Sequence, residues 1–163
     1  MKRFGFIGVG NMGYPLLNAT IKEFGSKSVS YYEVSNERCE YVKMNTGISP
    51  TKSIEELIKE CKYVILSIKP QFFNVVCDQI KKDLTSNHIL ISIAPGITIN
   101  NIKLLTYSDI RIIRAMPNTP AMIYEAMTSY CFSEDEFTQD ERNDLDSFFN
   151  SFGKREIVNE NLM

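Results

Sequence analysis

Histidine is almost missing from this sequence, with His88 standing alone among 163 residues. A histidine-built metal site, a Ser-His-Asp triad or a Cys-His pair would each need it. Its place after Thr85-Ser86-Asn87, at the mouth of an apolar run, reads instead as a loop or strand-edge position. The four cysteines, Cys39, Cys61, Cys77 and Cys131, show no CxxC spacing, so no metal or redox pair is indicated. Their apolar or helical surroundings suit reduced thiols in a cytoplasmic protein. Excess charge is missing too: 18 Lys and Arg stand against 20 Asp and Glu, and no basic tract is interleaved with aromatics. Nothing in that balance calls for a nucleic-acid partner. No apolar run approaches the roughly 18 residues of a membrane span. The short glycine-rich start at Phe4-Gly5-Phe6 lacks a signal peptide's cleavage site and reads as a buried strand. There is no internal repeat and no low-complexity segment.

What is present is an ordinary globular composition, 44% hydrophobic and 23% charged, in a length that suits one well-buried domain over residues 1–163. Apolar strand-like runs alternate with amphipathic stretches. That alternation predicts an α/β fold: a Rossmann-like, mainly parallel sheet flanked by helices, with an extra C-terminal strand-helix-strand. Strands are expected at 3–8, 28–32, 63–68, 89–93, 111–114, 128–132 and 155–158. Helices are expected at 12–24, stopped by Gly25, at 36–45, and from Ser53 to near Glu60. Ser53 and Glu56, and later Thr138 and Glu141, have the spacing of a capping box. Pro70 can open a further helix whose apolar face would be Phe72, Phe73, Val76 and Ile80. Thr98 starts a weaker helix to about Leu105. Residues 134–138 read as an acidic loop, and a last helix turns Leu145, Phe148, Phe149 and Phe152 inward before Gly153 stops it.

Gly8-Val9-Gly10-Asn11-Met12-Gly13 has the G-x-G-x-x-G spacing, immediately after a hydrophobic strand and at the start of a helix. In that context the pattern is specific for a dinucleotide. Gly8 would allow the tight turn, Gly10 the close approach of pyrophosphate, and Gly13 close packing of helix on sheet. Free N–H groups at the helix start would hold the phosphates. After the second strand, Glu33 lies 20 residues beyond Gly13 and could accept from an adenosine ribose hydroxyl, which favours NAD. Ser35, Asn36 and Arg38 follow and could instead receive a 2′-phosphate. The signals oppose one another, and both dinucleotides stay open.

Further candidates stand where later parallel strands end, the ligand edge of open α/β sheets. They are Ser67-Ile68-Lys69-Pro70, Ala94-Pro95-Gly96, and Asn118 in the rigid loop Met116-Pro117-Asn118-Thr119-Pro120. Lys69 suits a ligand-side role between a buried strand and a proline. Asn118 could serve a carboxamide or substrate, or simply hold its loop. No carboxylate pair stands out as an acid/base couple, and a protonated imine could accept hydride without one.

These segments resemble the pyrroline-5-carboxylate reductases. The resemblance rests on Phe6-Ile7-Gly8-Val9-Gly10-Asn11-Met12-Gly13, Leu66-Ser67-Ile68-Lys69-Pro70-Gln71 and Ile91-Ser92-Ile93-Ala94-Pro95-Gly96-Ile97. It rests most specifically on Arg114-Ala115-Met116-Pro117-Asn118-Thr119-Pro120-Ala121, and it extends through Gly153 to Met163. It implies NAD(P)H-dependent reduction of 1-pyrroline-5-carboxylate to proline, with NADP as cofactor or NAD in its place. By the resemblance, Gly8, Val9, Gly10, Asn11, Met12 and Gly13 bind pyrophosphate, and Ser35 and Asn36 lie near the adenosine ribose. Ser67, Ile68, Lys69, Pro70, Ala94 and Gly96 line the cofactor cleft, and Asn118 is the catalytic-site residue beside nicotinamide and substrate. No metal is implied.

Two departures stand out. Pro95 stiffens a turn that the family builds from small residues, and Ala126 replaces a glycine, so its Cβ would crowd the turn if a positive φ were needed. The resemblance also implies an all-helical second domain, absent from this sequence, through which the family dimerises and grips the substrate carboxylate. The expectation is a cofactor-binding part, monomeric or weakly self-associating, that binds dinucleotide but turns over pyrroline-5-carboxylate poorly or not at all. The alternatives are a related imine or β-hydroxyacid reductase domain, or a non-catalytic dinucleotide-sensing module.

Overall fold

The computed structural model describes residues 2–106, 109–132 and 136–163. The elements in chain order are β1 (Lys2–Ile7), α1 (Gly13–Phe24), β2 (Val29–Tyr32), α2 (Asn36–Thr46), α3 (Ile54–Glu60), β3 (Cys61–Leu66), α4 (Phe73–Ile80), β4 (Ile89–Ser92), α5 (Ile99–Leu105), β5 (Arg111–Met116), β6 (Ala126–Cys131), α6 (Gln139–Asn150) and β7 (Gly153–Ile157). The strands form one seven-stranded sheet in the order β2-β1-β3-β4-β5-β6-β7. β1 to β5 run parallel; β6 turns antiparallel to β5, and β7 runs parallel to β6. The Rossmann-like sheet and its C-terminal strand-helix-strand are both present, the latter with its direction reversed.

Successive strand residues point to opposite faces, so strands buried on both faces are apolar at most positions. Phe4, Phe6, Tyr63, Ile65, Ile89, Ile91 and Ile113 meet α1 and α6 in one core. Ile7, Val64, Leu66, Leu90 and Ile112 meet α3, α4 and α5 in the other. Phe4 links the layers of the first core, its ring 5.2 Å from that of Phe148 and 5.0 Å from that of Tyr63. Gly5 faces the second core because a Cβ there would come within 2.7 Å of Leu57 and 2.9 Å of Cys61 Sγ.

A buried ionic cluster ties α6 to the sheet. Glu141 takes Lys62 Nζ at 2.8 Å, Arg111 Nη1 at 2.7 Å and the Thr138 N–H at 3.0 Å. Burial pushes its pKa up, but the bonds from Lys62, the Thr138 N–H and Arg111 outweigh this and hold it at about 2. Thr138 and Glu141 complete the expected capping box. The Ser53 box is only half formed: Ser53 Oγ accepts from the Glu56 N–H, while the Glu56 carboxylate reaches past the cap to the Lys52 N–H.

Several boundaries differ from expectation. β3 begins at Cys61 with no connector after α3 and ends at Leu66, with Ser67 N still donating to Ile7 O. β5 continues to Met116, where Pro117 has no N–H to extend it. Pro70 opens a 3₁₀ turn, Pro70–Phe72, ahead of α4. That turn shifts the helical phase, leaving Phe73, Cys77 and Ile80 buried and Phe72 exposed. α6 ends at Asn150, and Gly153 starts β7, where a Cβ would strike the backbone of Ala126. The positive φ near that turn falls on Tyr124 (φ 62°), so the Ala126 Cβ crowds nothing and packs in the core.

His88 has a structural role. Its Nδ1 accepts from the Thr85 N–H at 2.9 Å, so Nε2 carries the proton toward Ile58 O at 3.0 Å. All four cysteines are free thiols. The acidic loop expected at 134–138 lies partly outside the described residues, and among those described no helix is long and apolar enough to cross a membrane.

Candidate dinucleotide site

The site follows from strand order. From β1 the chain passes through α1 to β2 at the sheet edge, then crosses back through α2 and α3 to β3 on the other side of β1. The connections after β1 and β3 therefore diverge and leave a crevice at the carboxyl ends of these strands. A cavity of about 390 Å³ occupies it, within the range of about 300–1,000 Å³ usual for small-molecule sites.

The 8–13 loop forms one wall. Gly8 has φ +87°, and a Cβ there would come within 2.8 Å of Ser67 O. A Cβ on Gly13 would press into Gly8 O and reach 2.8 Å from Ser67 Oγ. Gly10 differs, for its Cβ would meet nothing within 4 Å. Two glycines are thus required by the protein's own packing, and the third leaves open space on the cavity side. Ser67 Oγ donates to Gly8 O and fastens the loop to the end of β3. Among the described residues, the N–H groups of Gly10, Asn11 and Met12 donate to no acceptor of the chain. They stand at the positive end of α1, where a phosphate can be held.

The β2–α2 connection clamps this loop from the side. Glu33 Oε2 accepts from the Val9 N–H at 3.0 Å, and Oε1 accepts from the N–H groups of Val34 at 2.8 Å and Ser35 at 3.1 Å. Arg38 donates through Nε to Val9 O at 2.6 Å and through Nη2 to Gly10 O at 3.1 Å. Its guanidinium carbon lies 4.8 Å from the ring centroid of Tyr14 and 4.9 Å from that of Tyr41.

Of the residues expected at the site, Gly8, Gly10, Ser67, Ile68 and Lys69 line the cavity. Asn11, Met12 and Gly13 stand at the entry to α1. Val9 is buried in the core, its N–H committed to Glu33. Ser35 caps α2, accepting from the Arg38 N–H, and Asn36 begins that helix; neither lines the cavity, nor does Pro70. Ala94, Gly96 and Asn118 lie farther along the same sheet edge, after β4 and β5. Ala94 turns its side chain into the core, while Gly96 has φ +75° with open space at its Cβ position. Asn118 Oδ1 accepts from the Met127 N–H at 2.9 Å, which pins the 3₁₀ turn Thr119–Ile123 against β6.

Sequence reasoning missed the apolar wall made by Val34, Ile54, Phe72, Val75 and Val76. Val34, an apolar residue 81% exposed inside a polar turn, was the available signal. Phe72 and Val75 are exposed toward the same space, 53% and 59%. The wall suits the flat face of a base, the glycine loop suits a pyrophosphate, and among the described residues no metal-ligand cluster forms.

Fold and crevice together define a dinucleotide-binding α/β domain. Residues 3–96 match the family described as NADP oxidoreductase coenzyme F420-dependent, and the chain belongs to that family. It is 29% identical to the pyrroline-5-carboxylate reductase of Escherichia coli over 99% of its own length and 61% of that protein. Among solved structures it is similar to a pyrroline-5-carboxylate reductase from Coxiella burnetii, with TM-score 0.88 and 26% identity over 97% of this chain and 59% of that one. It is also similar to the Plasmodium falciparum pyrroline carboxylate reductase with NADP bound, with TM-score 0.84 and 28% identity over 98% of this chain and 58% of that one. The chain therefore spans about three-fifths of the length of these relatives.

Proposed function

We propose that the chain is the cofactor-binding part of an NAD(P)H-dependent reductase that converts 1-pyrroline-5-carboxylate to proline. The supporting observation is Gly10: its Cβ position is open, and the N–H groups of Gly10, Asn11 and Met12 donate to no acceptor among the described residues, beside an apolar wall. The Escherichia coli and Coxiella burnetii relatives carry the same activity in their names, and the Plasmodium falciparum relative binds NADP.

In this reading the 8–13 loop binds pyrophosphate, Val34, Phe72 and Val76 hold the adenine, and Ser67 keeps the loop in register. Ile68, Lys69, Pro70, Ala94 and Gly96 continue the cleft past β3 and β4, and Ser35 and Asn36 lie at its adenosine end. The bound nicotinamide supplies the hydride that reduces the imine carbon. Asn118 gives one Oδ1 lone pair to the Met127 N–H and keeps its amide N–H groups for an acceptor on nicotinamide or substrate. The substrate is small, and any self-association belongs to the whole length spanned by the relatives.

A stoichiometric reaction tests this. The chain is mixed with NADH and NADPH deuterated at nicotinamide C4 and with 1-pyrroline-5-carboxylate, and proline is analysed by mass spectrometry. Deuterium on the former imine carbon is expected, even where steady-state turnover is poor. Label transferred to another imine or to a keto acid but not to 1-pyrroline-5-carboxylate would overturn the substrate, and no dinucleotide binding would overturn the cofactor reading.

A further inference from the structure

The adenosine end of the crevice is built around a carboxylate that cannot move away. Resting on the dinucleotide reading above, with pyrophosphate at the start of α1, the adenosine ribose reaches the carboxyl end of β2. There Glu33 lines the cavity. Its two oxygens accept three backbone N–H bonds from two separate segments, Val9 on one side and Val34 and Ser35 on the other. A carboxylate has about four acceptor sites, so one remains. It can receive a hydroxyl proton but cannot donate to a phosphate.

The nearby cation, Arg38, keeps its charge but is held on the glycine loop and does not line the cavity. Arg38 spends Nε and Nη2 on the carbonyls of Val9 and Gly10, and the rings of Tyr14 and Tyr41 lie close to its guanidinium. Lys69 also lines the cavity but follows β3, two strands away from β2 across β1, a separation of about 10 Å. At the β2 end, the charged side chain that lines the cavity is therefore Glu33.

We infer that this site prefers NADH to NADPH, and that Glu33 is the specificity-determining residue, accepting from the ribose hydroxyl and repelling a 2′-phosphate. The preference departs from the NADP bound by the Plasmodium falciparum relative. Titration of the chain with NADH and NADPH, followed by cofactor fluorescence at low ionic strength, tests it. NADH is expected to bind at least about tenfold more tightly. Because the discrimination is electrostatic, rising salt should narrow the ratio by weakening the repulsion. Glu33→Gln should narrow it by about tenfold at low salt. That variant places an amide donor against a backbone N–H and can loosen the loop, so the wild-type salt series stands as an independent readout. Equal or tighter NADPH binding by the wild type, or a ratio indifferent to both salt and Glu33→Gln, would overturn the inference. Binding of neither dinucleotide would instead overturn the reading of the crevice itself.

Discussion

An alanine at Gly10 adds one methyl group where the protein has room for it, since a Cβ there meets nothing within 4 Å and φ is not in the left-handed region. Substitution of glycine at a compatible backbone position stabilises by about 0.4–1 kcal/mol through the unfolded chain. For a chain of this size that corresponds to a rise in Tm of about 1–4 °C. In the proposed reading, the same methyl group stands where pyrophosphate approaches the N–H groups of Gly10 and Asn11. Losing one hydrogen bond to a charged group costs about 1.5–3 kcal/mol, or roughly a tenfold to hundredfold loss of affinity. Gly13→Ala behaves differently, because its Cβ strikes Gly8 O and Ser67 Oγ, so stability and binding should fall together. Thermal unfolding and cofactor-fluorescence titration of both variants separate the two effects. A folded Gly10→Ala protein that binds NADH as the wild type does would refute the assignment of the loop to pyrophosphate.

Other substitutions probe the frame around the site. Glu141 has a folded pKa of about 2 against an ordinary 4.5, so its contribution is complete above pH 4.5 and is lost as pH falls toward 2. It amounts to on the order of 3 kcal/mol. Glu141→Gln should lower stability at pH 7 and flatten the acid limb of a denaturation-midpoint profile; an unchanged limb would contradict the cluster's role. Asn118→Ala should cost about 1 kcal/mol by freeing the Met127 N–H. Asn118→Asp keeps that acceptor and should retain stability while losing hydride transfer, and full activity in Asn118→Asp would exclude a donor role. Gly5→Ala should destabilise by about 1–3 kcal/mol, the usual cost of overpacking, as chemical denaturation can measure, because Leu57 and Cys61 already fill the space.

The sheet was legible because its central strands carry runs apolar on both faces, as in residues 89–91 and 63–66. The glycine loop was legible because its spacing encodes backbone contacts that tolerate no side chain. What escaped was set by tertiary geometry. The 3₁₀ turn after Pro70 altered the phase of the next helix, so Phe72 moved from an expected core position to the cavity wall. The reversal at β5–β6 depends on Pro117, the Asn118 bond to Met127 and the left-handed Tyr124, no one of which fixes a strand direction alone. Glu33 and Arg38 were visible as rival signals for the ribose. Their hydrogen bonds to the glycine loop join segments more than 20 residues apart, which spacing along the chain does not announce.

The most direct test of the dinucleotide site is a titration of the ¹⁵N-labelled chain with NADH, followed at each backbone amide. As that site requires, saturable shifts are expected, centred on the N–H groups of Gly10, Asn11 and Met12 and extending to Ser67, Ile68 and the apolar wall at Val34 and Val76. Absence of saturation, or shifts centred away from the 8–13 loop, would contradict it.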